Sequence, residues 1–176
     1  MYARGVDGSI GAEELRELQQ PFKDRYRDDP DAALITLEAD GDLDEGITCS
    51  VNTGQALVKA GLHPGTGGDG ASACSGDMLL QALVACAGVT MRAVATPIGI
   101  VVGGSVHAEG DLDWRGTLAV DKQAPVGFRA IRLRFDLESD ASEDELATLE
   151  RLTERSCVVF QTLAGSPTLS VSRNRA

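Results

Sequence analysis

The stretch SGDMLLQALVACAGVTMRAV, residues 75–94, decides the fold. It is almost wholly apolar, whereas a helix on the surface of a protein carries a polar stripe. A segment that is apolar on nearly every side has to be covered around most of its circumference. We therefore predict a central, buried helix from Met78 to Ala95, ending near Pro97, with Cys86 in its middle.

The composition is that of one soluble domain with an acidic surface. The chain has 176 residues and a formal net charge of −11, and a chain of this length closes a single hydrophobic core. From Asp28 to Glu45 there are eight acidic residues and no basic one. Such a surface repels phosphate backbones and anionic lipids, so we expect neither nucleic acid nor a membrane as partner.

The location of the protein is expected to be cytoplasmic. No signal peptide is visible at the N-terminus, and the apolar run from Met78 to Met91 is shorter than a bilayer span. The four cysteines show no C-x-x-C spacing, which is typical of reduced intracellular thiols.

A zinc site would need distant histidines, His63 or His107, so no metal is predicted. The glycine-rich loop at residues 63–77 lacks the lysine of a phosphate-binding loop, so we predict no cofactor.

Segments with strand periodicity flank the central helix. Their alternation leaves one face polar, which is typical of antiparallel sheets, and the fold class is therefore α+β. A capping box at Ser142 and Glu145 marks a later helix. The predicted strands cover residues 35–39, 47–51, 55–62, 100–109, 131–138 and 169–173.

The first residues form a separate element. Leu15, Leu18, Phe22 and Tyr26 recur at helical spacing, and Pro21 is expected to break that helix. We predict a helical extension at residues 1–31, followed by a single domain at residues 32–176.

The cysteines differ in their predicted surroundings. Cys49 points with its strand's apolar residues into the core, and Cys74 lies in the glycine-rich loop. With Ser156 as a cap, Cys157 opens a short helix that ends at Gly165, where the helix dipole should lower its pKa. Cys86 lies among apolar residues, which should raise its pKa. On these grounds alone Cys86 is a core residue.

Two segments together resemble a known family. The helix LLQALVACAGVTMRA (79–93) after a glycine-rich loop, two long strands, and then ERSCVVFQTLAG (154–165) are similar to the OsmC/Ohr proteins. These are the osmotically inducible and organic hydroperoxide resistance proteins, and the resemblance covers residues 32–175.

The resemblance implies a fold, an assembly and a chemistry. It implies antiparallel sheets packed around the central helix and an intertwined homodimer with its sites at the subunit interface. It also implies a stress-response peroxidase in which Cys86 attacks an organic hydroperoxide and Cys157 resolves the sulfenic acid as a disulfide, without cofactor or metal. A thiol reductant then recycles the enzyme.

The chain differs from that family at one point of the site. The peroxidase members place an arginine from the N-terminal strands beside the reactive thiolate, held by a glutamate about ten residues before the cysteine. This chain has no arginine between Arg27 and Arg92, and Gly76 stands ten residues before Cys86. Arg92, Arg132 and Arg134 are the candidate substitutes. The alternative function is a non-catalytic protein that binds a small apolar ligand at the dimer interface.

Overall fold

A computed structural model describes residues 11–28, 40–43, 48–52, 57–66, 68, 70–119 and 121–174. Five α-helices, one short 3₁₀-helix (Pro64–Thr66) and six strands lie within these ranges. The helices are α1 (Ala12–Asp28), α2 (Ser75–Ile98), α3 (Trp114–Thr117), α4 (Glu143–Ser156) and α5 (Val158–Gly165). The strands are β1 (Asp40–Leu43), β2 (Thr48–Asn52), β3 (Leu57–Gly61), β4 (Ala73–Cys74), β5 (Gly103–Asp111) and β6 (Ala130–Glu138).

The long apolar segment forms α2, as predicted. Pro97 lies in its last turn, and Gly99 ends it with a left-handed φ of 77°, a conformation that glycine adopts without steric cost. The helix has 24 residues and is longer than the apolar run read from the sequence. By length and composition alone it is long enough to cross a membrane, a test that core helices of soluble proteins also meet.

One stripe of α2 is buried in the core. Leu83, Ala87, Met91 and Ala95 follow each other at four-residue intervals and are at most 3% exposed. The inward side chains of β5 and β6 and residues of α4 and α5 pack on this stripe. The opposite side of α2 is open in the single chain, where Val89 is 72% exposed. A single chain therefore covers only part of the apolar circumference of α2.

The strands form two sheets. β1, β2 and β3 pair antiparallel, and β4 adds in parallel to β3. β5 and β6 pair antiparallel over nine residues each, with His107 opposite Arg134. This confirms the α+β class and the antiparallel pairing. By register Cys49 lies opposite Ala60, and its side chain is outside the described part of the chain.

Three local predictions need correction or lie outside the described residues. α1 continues through Pro21, because a proline removes one main-chain hydrogen bond while the flanking ones remain; the side chain of Gln20 donates to Asp24 across it at 2.8 Å. The predicted strand at residues 35–39 lies outside the described residues. Residues 169–173 form no strand, and none of the strands that the structure describes pairs with them.

α4 begins as the sequence predicts. The main-chain N–H of Ser142 donates to the Glu145 carboxylate at 2.8 Å, and the Ser142 hydroxyl accepts from the Glu145 N–H at 3.4 Å. These reciprocal bonds satisfy two donors that a helix start would otherwise leave free. α4 is thereby fixed at one end, and at its other end it leads into Cys157.

Candidate active site

Cys86 and Cys157 lie in contact with each other. Cys86 is half-buried on α2, one turn before Thr90, and packs on the cluster of Leu83, Ala87 and Cys157. Cys157 is 1% exposed and sits between α4 and α5. Because α2 packs against both α4 and α5, the two thiols meet although 71 positions of sequence separate them. Both are free thiols.

Cys157 is a cap and not the first residue of its helix. Its backbone has the extended angles φ −75° and ψ 111°, it ends α4, and α5 begins at Val158. Ser156, predicted to be the cap, is the last residue of α4. The boundary is thus one residue later than predicted, and α5 ends at Gly165 as expected.

Four uncharged groups surround the sulfur of Cys86. Burial raises the pKa of Cys86, but hydrogen bonds to its sulfur outweigh burial and hold the pKa below its ordinary value. The donors are the backbone N–H groups of Val158 and Val159, the thiol of Cys157 and the hydroxyl of Thr90. The first N–H groups of a helix have no partner within that helix, so those of α5 are available to a thiolate.

The pKa of Cys157 moves in the opposite direction. Burial raises it most, and the hydrogen bond to Cys86 and the charge of Cys86 raise it further, against the lowering effect of the Phe160 and Val159 N–H groups. The sequence-based prediction had assigned the lowered pKa to Cys157 and the raised one to Cys86, and it is wrong on both. The helix start whose N–H groups were expected to serve Cys157 serves both sulfurs.

None of the candidate arginines activates Cys86. Arg92 donates to the main-chain oxygen of Val102 at 2.6 Å. Arg132 pairs with Glu109 at 2.7 Å and with Asp111, and Arg134 pairs with Asp136 at 3.0 Å, all on the exposed face of β5 and β6. Among the described residues, no cation is one of the groups that shift the pKa of Cys86. Thr90, four residues after Cys86, is a site residue that the sequence analysis missed; its helical spacing was the signal.

Cys49 and Cys74 are not among the described groups that act on the Cys86–Cys157 pair. Cys74 is half-buried in β4, immediately before α2, and not in a free loop. A Cβ added at Gly76 would lie 3.6 Å from the Cys74 sulfur and 3.5 Å from the ring of Phe128. Neither Cys74 nor a residue of β2 is among the groups that shift the pKa of Cys86 or Cys157.

Comparison with known families decides the affiliation of the chain. The family model of OsmC-like proteins matches residues 67–172, which include both cysteines and all the elements from β4 to α5. The chain belongs to the OsmC-like family. The family resemblance predicted from residues 79–93 and 154–165 is confirmed.

Solved structures show the same fold for this OsmC-like protein. An OsmC-like protein from Mycoplasma pneumoniae has a TM-score of 0.63 at 19% identity, covering 74% of this chain and 89% of that one. An OsmC-like protein of unknown function from Vibrio cholerae has a TM-score of 0.60 at 12% identity, covering 73% and 94%. A hypothetical protein from Aquifex aeolicus has a TM-score of 0.57 at 15% identity, covering 76% and 90%. No curated protein sequence matches the chain.

Proposed function

We propose that this OsmC-like protein is a thiol-dependent peroxidase for organic hydroperoxides, with Cys86 as the attacking and Cys157 as the resolving thiol. The observation that carries the proposal is the contact of the two sulfurs, with hydrogen-bond donors converging on Cys86. A thiolate is the nucleophilic form of cysteine, and these donors stabilise it. The family resemblance supports the same assignment of roles.

The first step forms a sulfenic acid. The Cys86 thiolate attacks the outer oxygen of the hydroperoxide, the O–O bond breaks, and the alkoxide leaves with its electron pair and takes a proton to become an alcohol. The apolar side chains packed around Cys86, including Leu83, Val159 and Phe160, suit a substrate with an organic tail.

The second step forms the disulfide. The negative charge of Cys86 is one of the causes that raise the pKa of Cys157. Conversion of Cys86 to the neutral sulfenic acid removes that charge, so Cys157 ionises more readily at the moment when it has to attack. The Cys157 thiolate then attacks the Cys86 sulfur, and hydroxide leaves and takes a proton to become water. The oxidised pair requires a thiol reductant to return to the starting state.

The test is chemical and does not depend on the fold. One equivalent of cumene hydroperoxide should convert Cys86 and Cys157 into one intramolecular disulfide, seen by thiol titration and by mass spectrometry of peptic fragments. Cys86→Ser should abolish peroxide consumption. Cys157→Ser should leave a sulfenic acid on Cys86 that a dione reagent traps. If Cys86 stays reduced at high pH in the folded protein, the peroxidase proposal fails.

A second candidate function is the binding of a small apolar ligand without catalysis. In its favour, no guanidinium among the described residues acts on Cys86, in contrast to the peroxidase members of the family. The same mixing experiment separates the two candidates, because a non-catalytic protein retains all its free thiols after exposure to hydroperoxide.

We also propose a homodimer in the cytoplasm as the working state. A second copy of this chain is the occupant of the open side of α2, where Val89 is 72% exposed and Ala82 and Ala85 are exposed as well. Apolar area of this kind on a stable protein marks an interaction surface. A cytoplasmic setting supplies the thiol reductant that the second half of the cycle needs.

A further inference from the structure

The C-terminal segment, residues 166–174, has the pattern of a strand but pairs with nothing in the single chain. Leu169 and Val171 alternate with Ser170 and Ser172, which is typical of a strand with one apolar face. Every residue of the segment is exposed, Leu169 to 87% and Val171 to 99%. Its main-chain groups form no hydrogen bond with any backbone group that the structure describes. Addition to the edge of a sheet would satisfy these groups and cover the apolar face.

β6 has the free edge that best suits such a segment. Among the described strands it pairs only with β5, so the main-chain groups on its other edge bond to no backbone group. β6 has nine residues without glycine or proline, whereas β5 begins with two glycines, and Gly104 has a φ of 106°. The edge strands β1 and β4 have only four and two residues. A long, regular free edge is the one that accepts a further strand. The apolar face of the segment would then extend the inward face of β6, where Phe135 and Leu137 pack on the core.

The charges at one end of β6 complement those of the segment. Residues 166–176 contain two arginines and no acidic side chain, in a chain with a net charge of −11. Glu138 and Asp140, at the end of β6, are exposed, line a cavity of about 600 Å³, and form no ion pair with any described residue. A segment parallel to β6 brings Arg173 to these carboxylates, whereas an antiparallel one brings it to Arg134. The charges therefore favour the parallel direction.

We propose that the C-terminal segment of one chain adds to the free edge of β6 of a second copy, as a parallel third strand of the β5–β6 sheet. Arg173 then lies at Glu138 and Asp140 of the second copy. In the single chain the segment reaches no sheet edge although that of β6 is free, and the packing of α5 on α2 and α4 fixes the point where it leaves the fold. In a symmetric dimer each chain gives and receives one segment. The inference rests on the proposed homodimer, and it is independent of the peroxidase chemistry.

Proline substitutions at two adjacent positions test the pairing. Successive N–H groups of a strand point to opposite sides, so in an added edge strand one faces β6 and the next faces solvent, where proline is tolerated. Of Ser170→Pro and Val171→Pro, one should weaken the dimer several-fold and the other should leave it nearly unchanged, measured by sedimentation over a series of concentrations. Val171→Ala measures the loss of that side chain by itself.

The outcomes of the proline test separate the two proposals. A dimer that is indifferent to both prolines, or equally weakened by both once the side-chain loss is subtracted, overturns this inference and leaves the homodimer standing. A full chain that is monomeric at micromolar concentration contradicts both.

Mixed dimers show which chain the segment joins. Dimers refolded from equal amounts of isotope-labelled and unlabelled protein should give nuclear Overhauser contacts between the Val171 methyl groups of one chain and β6 of the other. Contacts that occur only within one chain would overturn the assignment to a second copy.

The last experiment tests the charges. Glu138→Gln combined with Asp140→Asn should weaken the dimer several-fold at low salt, with a smaller effect at high salt, because salt screens exposed charges. Glu150→Gln combined with Glu154→Gln is the control, since it removes two exposed carboxylates that do not line the cavity. Equal weakening by both pairs, or by neither, would overturn the placement of Arg173 at the end of β6.

Discussion

At the scale of single residues, the lowered pKa of Cys86 depends on a small number of uncharged donors. Thr90 is the one that a conservative substitution removes most simply, because its hydroxyl lies one helical turn from the sulfur and donates to it. The backbone N–H groups of Val158 and Val159 remain whatever the side chains are. Thr90 is therefore a positioning residue whose contribution can be measured separately from that of the helix start.

We predict that Thr90→Val raises the pKa of Cys86. The pKa is lowered in the intact site, so the thiolate forms at lower pH than in an ordinary cysteine, and loss of one donor moves its formation to higher pH. The rate of hydroperoxide consumption should rise with pH in both proteins, with a higher midpoint in the variant. Ultraviolet titration of the thiolate gives the pKa directly. Thr96→Val is the control, since the Thr96 hydroxyl bonds to the main-chain oxygen of Arg92 on the same helix; an equal shift in both variants would contradict the prediction.

Cys49 and Cys74 are predicted to be dispensable for redox activity. The Cys74 sulfur is not among the groups that act on the reactive pair, and Cys49 lies in β2. Replacement of both by alanine should leave hydroperoxide turnover within a few-fold of the original. A complete loss of turnover in a folded double variant would mean that Cys86 and Cys157 are the wrong pair.

At the scale of elements, β5 depends on one glycine near its start. Gly104 has a φ of 106°, and a Cβ at this position would lie 2.0 Å from the main-chain oxygen of Asp136 on β6. A side chain there is excluded both by the backbone conformation and by the neighbouring strand. Because β5 and β6 form the layer that packs on α2, strain at this point affects the support of the helix that carries Cys86.

We predict that Gly104→Ala lowers the free energy of unfolding by about 1–3 kcal/mol, the range for a non-glycine residue held in such a conformation. Gly103→Ala is the matched control, because the nearest atom to a Cβ at Gly103 is 3.8 Å away and its φ is ordinary. Urea denaturation of the two variants measures the difference. Equal stability of both would show that β5 starts differently from the structure described above.

The sequence predicts the elements of this protein better than it predicts the site. The apolar α2, the capping box at Ser142 and the alternation in β6 are local signals, so the sequence carries them directly. The surroundings of Cys86 arise where α2 meets the start of α5, and a boundary one residue later than predicted changes which groups face its sulfur. The strand predicted at residues 169–173 failed because alternation shows which side chains share a face and not where a partner strand lies.

At the scale of the whole molecule, the proposed homodimer depends on the open side of α2. We predict that Val89→Glu produces a monomer or an aggregate, because a carboxylate would then lie in the middle of the proposed interface. Val126→Glu, at a loop position that is 65% exposed, should leave the assembly unchanged. Sedimentation at micromolar concentration measures both. A dimer that persists in Val89→Glu would place the interface elsewhere.

The uncharged donors around Cys86 also bear on the choice of oxidant. A fixed positive charge beside a thiolate attracts anionic oxidants such as peroxynitrite as well as neutral ones, whereas hydroxyl, thiol and N–H groups offer no long-range attraction. The acidic chain adds a weak repulsion of anions. Neutral hydroperoxides should therefore be preferred over charged ones of similar size, and the preference for neutral oxidants should weaken as added salt screens the repulsion.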